Sequence, residues 1–313
     1  MSELFCDRLL DAVEYSHAPV CVGIDPVIDS LPDEVRAKFQ SRQNEPQAQL
    51  DAIFDFVARV LKVVAPLVPI VKFQSACFER YLWDGVEAYY SLIQEAKDLG
   101  LLVIGDVKRG DIGPTAAAYA AGHLAEQTGG ADEPPATPDA ITVNPMLGLE
   151  ALAPFVEAAR DAGKGLFVLV RTSNPGSAEL QDVRLASGES WSEMLADRLA
   201  VLTEDRALLG SRGFSSIGAV VGATQPQVMA SLRRRLPRSI FLLPGYGAQG
   251  ATAEMTRAAF RDGVGAIVSA SRSILYAHRE EKYASRFENN WEKCVEAAVM
   301  EMKDELRRVL DTA

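Results

Sequence analysis

The chain has 313 residues, 48% of them hydrophobic and 24% charged, with a formal net charge of −11. This is the composition of a globular protein, long enough for one large domain or two ordinary ones. The acidic balance argues against nucleic acid or an anionic membrane as a partner, and no apolar run approaches the ~20 residues a membrane span requires.

Residues 1–17 read as an amphipathic acidic helix with no signal-peptide core. VCVGID (20–25) is the first short β-rich run, followed by a polar, Pro-bearing stretch over 26–49 that looks inserted. Helical periodicity over 50–64 leads into IVKFQ (70–74), and a helix over 84–98 into LLVIGDV (101–107). Residues 127–139, a Pro/Gly/acidic segment, read as a surface loop before AITVN (140–144). Helix 149–162, LFVLVR (166–171), helix 190–209, IGAVVG (217–222) and helix 225–236 come next; Arg233-Arg234-Arg235 in the last reads as a solvated face. IFLLP (240–244), a helix over 251–262, GAIVSA (265–270) and a charged amphipathic helix over 286–311 complete the chain.

Eight strands alternating with helices imply a parallel sheet, and eight is the number that closes a (β/α)₈ barrel. The expected architecture is therefore an α/β TIM barrel, one domain over 1–313. The alternative, a doubly wound open sheet, would normally carry a glycine-rich phosphate turn after its first strand, where this chain has GIDPVIDS.

Cys6, Cys21, Cys77 and Cys294 form no CxxC pair, and His17, His123 and His278 are far apart. That spacing speaks against zinc, a disulfide framework or a Ser-His-Asp triad, and suits a reducing compartment, so the cytoplasm is the expected location. In a barrel the chemistry sits at the C-terminal strand ends, and polar residues gather there. Asp25, Lys72, Asp106 with Lys108, Asn144 and Arg171-Thr172-Ser173 end five successive strands. In VIGDVKRGDIG (103–113) Lys108 lies between Asp106 and Asp111, an ammonium held charged and aimed. Asp106 and Lys108, two apart in a strand, should project together. Lys72, inside a barrel, needs a carboxylate, and Asp106 on the next strand predicts a row Lys72–Asp106–Lys108–Asp111. Asp25 either extends the row or bonds a sugar hydroxyl; Thr172 and Ser173 either bond a polar ring edge or shape a turn. PGYGAQG (244–250) reads as an anion cup, with Gly245, Gly247 and Gly250 admitting close backbone approach, a helix N-terminus at about 251, the Gln249 amide, and Arg272 on the next strand end.

These motifs, GDVKRGDIG (105–113), VKFQ (71–74), TVNP (142–145), TSNPG (172–176) and PGYGAQG with SASRSI, resemble those of the orotidine 5′-phosphate decarboxylases, in particular their longer bacterial subgroup. The resemblance spans about residues 18–276. It implies decarboxylation of orotidine 5′-monophosphate to UMP with no metal and no organic cofactor. Lys108 would protonate the pyrimidine carbon, Asp106 face the departing carboxylate, and Lys72 hold Asp106 and touch the ribose. Asp111 would reach the neighbouring subunit's site, making a homodimer. Asp25 would bond the ribose, Ser173 the pyrimidine edge, Gln249 and Arg272 the phosphate, while Asn144 matches a subgroup motif. Two other readings compete. One is a metal-dependent sugar-phosphate decarboxylase or aldolase-like synthase of the same superfamily, which Lys72 opposes because those enzymes place an acidic metal ligand on strand 2. The other is an inactive nucleotide-binding barrel.

Overall fold

The computed structural model describes residues 3–42, 45–125, 136–288 and 290–311. Strands β1 (Val20–Ile24), β2 (Ile70–Gln74), β3 (Leu102–Arg109), β4 (Ala140–Val143), β5 (Gly165–Arg171), β6 (Ser215–Val221), β7 (Ser239–Pro244) and β8 (Ala266–Ala270) pair in chain order, all parallel. β8 returns to pair with β1 and closes the barrel. Each strand lies within two residues of its expected run. A strand buried on both faces is continuously apolar, which makes such runs conspicuous.

Helices of nine residues or more are α1 (Phe5–Ser16), α2 (Pro46–Val64), α3 (Leu82–Asp98), α4 (Gly113–Leu124), α5 (Ala153–Asp161), α6 (Trp191–Leu202), α7 (Pro226–Arg235) and α8 (Trp291–Leu310). In α2, buried Ile53, Val57, Val60, Leu61 and Val64 recur at helical spacing, and Pro46 occupies the first turn, where its missing N–H costs nothing. A capping box between Ser190 and Glu193 starts α6, which ends at Leu202, seven residues short of expectation. Helix α4 is absent from the periodicity reading, because GPTAAAYAAGHL buries only Ala116, Ala120 and Leu124. Its signal is alanine propensity, not an apolar stripe. The expected helix over 251–262 starts at Ala253 but is reduced to one turn (Ala253–Thr256) and a 3₁₀ turn (Arg257–Ala259). The stretch after β1 is folded, with a short helix at Asp33–Ala37 whose Val35 is fully buried. Of the 127–139 segment, 127–135 lie outside the described residues. Asp139, which follows them, is buried between Arg8 (2.7 Å) and Lys97 (3.4 Å).

Two apolar layers hold the barrel. The larger lies between the strands and the helix ring. The smaller fills the barrel itself, where Cys21, Ile70, Ile104, Phe167, Ile240 and Ile267 meet Phe5, Cys6, Leu9 and Leu10 of α1, which plugs the N-terminal end. Phe5 stands edge-on to Phe167 at 6.0 Å, over Gly165, where a Cβ would come within 2.1 Å of the Phe5 ring. Arg233 departs from expectation: instead of a solvated face it is buried, its guanidinium bonding the carbonyls of Leu236, Ser239, Ala259 and Gly265 and lying 3.6 Å from the Phe241 ring centre. Among the described residues no helix is long and apolar enough to cross a membrane.

Candidate active site

Strand alternation that puts Ile70, Ile104 and Ala140 into the barrel puts Lys72, Asp106 and Thr142 one inward position higher, at the C-terminal mouth. Lys72 and Asp106 are both buried. The Asp106 carboxylate accepts four bonds. Lys72 Nζ (2.8 Å) and Gln74 Nε2 (3.1 Å) donate to Oδ2, and Lys108 Nζ (2.6 Å) and Thr142 Oγ1 (2.8 Å) donate to Oδ1. Lys72 Nζ also lies 3.7 Å from Asp25 Oδ1. Burial pushes the Asp106 carboxyl up, but the ammonium groups of Lys72 and Lys108 outweigh it and hold the group well below the usual carboxylate range. Burial pulls Lys72 down, yet Asp106 and then Asp25 hold it above its ordinary value. The core of the site is therefore a fixed carboxylate with cations on both sides.

Lys108 reaches Asp106 by a route that strand alternation does not anticipate. Its backbone is left-handed (φ +47°), and the β3–β4 register shifts between Gly105 and Arg109. A left-handed non-glycine residue costs roughly 1–2 kcal/mol, and here its N–H donates to Thr142 Oγ1 at 3.0 Å. The kink leaves the Lys108 side chain half-exposed at the mouth while its ammonium returns to Asp106.

The expected row ends at Lys108. Asp111 makes no ion pair with the described residues, and its Oδ1 accepts the N–H of Ile112 (2.8 Å). The chain has by then turned out of the barrel, since Arg109 pairs with Glu79 (2.5 Å) and lies over the Tyr119 ring.

Asp25 follows β1, its Oδ1 buried and accepting no hydrogen bond among the described residues. Asn144 sits just beyond β4, exposed, its Oδ1 taking the N–H of Met146 in a local turn. Thr172 is committed to its own loop, the hydroxyl bonding Asn174 and Gln181. Arg171, buried and bidentate to Asp182 (2.8 and 2.9 Å), braces that loop. Ser173 is held against Gly222 and Gly245, at the foot of the β7 loop. There Gly245, Gly247 and Gly250 take φ of +110°, +67° and +86°, a backbone only glycine adopts freely. Gln249 Oε1 lies over Gly245, Ser273 Oγ lies beside Gly247, and exposed Arg272 pairs with no described carboxylate. This corner, on β7 and β8, faces β3 across the barrel mouth. Thr142 and Gln74 escaped the sequence reading, although both lie inside motifs it singled out. The available signal was inward alternation, Ala140 to Thr142 and Lys72 to Gln74.

This is a (β/α)₈-barrel enzyme, its charged groups gathered at the C-terminal strand ends. The family described as orotidine 5′-phosphate decarboxylase / HUMPS matches residues 19–287, and the chain belongs to it. An orotidine 5′-phosphate decarboxylase of Rhodopirellula baltica is 39% identical over 308 residues, covering 97% of this chain and 99% of the relative. One from Clostridium acetobutylicum is 33% identical, covering 98% and 100%. A crystal structure from Streptomyces avermitilis superposes with a TM-score of 0.77 at 31% identity, covering 99% of this chain and 97% of that one. The family resemblance carried by the motifs is borne out.

Proposed function

We propose that the protein converts orotidine 5′-monophosphate to UMP and CO₂ without a metal or organic cofactor. The observation that carries this is the Asp106 carboxylate clamped between Lys72 and Lys108 at the barrel mouth. As the bond from C6 to the carboxylate breaks, CO₂ leaves and the electron pair stays on C6. The Lys108 ammonium stabilises that carbanion and delivers its proton to it, and the amine is then reprotonated from solvent. Asp106, kept ionised, faces the substrate carboxylate, and their repulsion is relieved as CO₂ departs. Asp25, whose buried Oδ1 accepts no hydrogen bond among the described residues, bonds a ribose hydroxyl. Ser173 bonds the pyrimidine edge, and Gln249, Arg272 and the backbone at Gly247 and Gly250 grip the phosphate. Thr172 shapes the loop that carries Ser173, and Asn144 shapes the turn after β4. The Lys72 ammonium lies between Asp25 and Asp106, the place a divalent cation would need, which favours the cofactor-independent branch.

Asp111, which makes no ion pair among the described residues, serves the site of a second copy, and exposed Ile112 beside it is what that copy would cover. Residues 1–313 act as one domain. All four cysteines are free thiols, which supports a cytoplasmic setting.

The test is the ultraviolet change on mixing the protein with orotidine 5′-monophosphate. Turnover should be unaffected by EDTA, and Lys108→Ala should lower it by at least ~10²-fold. Near-normal turnover by Lys108→Ala, or loss of activity with EDTA, would sink the assignment.

A further inference from the structure

The β7 loop has three glycines at positive φ and a single aromatic side chain, Tyr246. Its own backbone bonds run from Gly247 N–H to the Ala251 carbonyl (3.0 Å), Ala248 N–H to that of Tyr246 (2.9 Å), Gly250 N–H to that of Gly247 (2.9 Å) and Ala251 N–H to that of Gly245 (3.3 Å). Tyr246 is buried and points away from the mouth, toward α8, where its hydroxyl donates to Glu305. Its ring packs into the larger apolar layer and borders a cavity of about 920 Å³ between the loop and α8, with Gly247, Ser273, Met302 and Glu305 also in the wall. The hydrogen bond adds a directional polar tie between the glycine loop and the C-terminal helix. Helix α8 itself is anchored by buried Trp291, Val295, Val299, Met302 and Leu306. Burial and the nearby Glu305 carboxylate push the Tyr246 phenol up, so it remains a donor throughout the working pH range.

Given the decarboxylase reading above, we propose that Tyr246 and Glu305 are positioning residues for phosphate binding, through which the C-terminal helix sets the conformation of the Gly245–Gly250 loop. Neither side chain touches substrate. Their bond holds the N–H groups of the loop in the geometry that meets the phosphate, so its loss falls on the phosphorylated end of the ligand alone. An anion site made from backbone N–H groups is only as good as the loop's preorganisation.

The experiment compares UMP with uridine as competitive inhibitors of orotidine 5′-monophosphate turnover. Tyr246→Phe and Glu305→Ala should each weaken UMP and raise KM by about tenfold, the loss expected for one hydrogen bond to a charged group. Uridine, lacking phosphate, should bind as it does to the unaltered protein. The double variant should be no worse than either single one, and Glu305→Gln, which keeps an acceptor, should restore most of the affinity. Unchanged UMP affinity in both single variants, or equal losses for UMP and uridine, would overturn the proposal. If the unaltered protein fails to turn over orotidine 5′-monophosphate, the decarboxylase reading fails instead, and UMP binding by itself still scores the Tyr246–Glu305 tie.

Discussion

At Thr142 a single hydroxyl has two partners. It donates to Asp106 Oδ1 and accepts the N–H of Lys108, the residue in left-handed conformation. Thr142→Val keeps the shape and removes both bonds, leaving a buried carboxylate oxygen short of a donor and the kinked backbone unheld. A hydrogen bond to a charged group contributes ~1.5–3 kcal/mol, so kcat should fall roughly ten- to a hundredfold. KM should change little, because Thr142 acts on Asp106 and Lys108 rather than on the phosphate. Steady-state kinetics of Thr142→Val beside Thr142→Ser, which should recover most of the loss, check this.

Among the elements, α7 is the one whose role inverts on folding. Arg233 joins it to the starts of β7 and β8 through Ser239 and Gly265, and also bonds the carbonyls of Leu236 and Ala259, while Phe241 lies under the guanidinium. In the sequence it sits in RRR, beside Arg234 and Arg235, and Arg235 does what the pattern suggests, pairing with Asp197. No local feature distinguishes the buried arginine from its neighbours. Arg233→Met should cost about 3 kcal/mol by stranding buried carbonyls, lowering the urea midpoint without changing its slope. Arg233→Lys should regain only part, since an ammonium cannot reproduce the guanidinium fork. The same limit hid α4, whose alanines carry propensity without an apolar stripe, and exaggerated the helix after β7.

For the whole molecule, the proposed division of labour between Lys108 and Asp111 makes a prediction about assembly. Lys108→Ala and Asp111→Ala proteins should each be nearly inactive. If Asp111 serves the partner's site in a two-fold dimer, mixing and re-equilibrating the two should rebuild one complete site per hybrid dimer. Activity would then return to roughly a quarter of the unaltered level at equal mixing. Absence of complementation, with subunit exchange verified by mass spectrometry, would place Asp111 in its own subunit's chemistry.

The sequence by itself determined the barrel and most of its site. Eight apolar runs are unmistakable because strands buried on both faces have no polar alternation to dilute them. Lys72, Asp106 and the glycines of PGYGAQG stand out because their types are costly where they lie unless put to use. Residues whose meaning depends on a partner distant in sequence were decided only by the tertiary structure. Thr142 reads as an ordinary strand threonine until Asp106 comes within 2.8 Å, and Tyr246 as a loop aromatic until α8 brings Glu305 to it. Asp111 completes the point: its sequence neighbours suggest an ion pair with Lys108, and the turn at Arg109 carries it out of reach. Periodicity and residue type are local properties, whereas the closing of a barrel brings together groups that no local pattern relates.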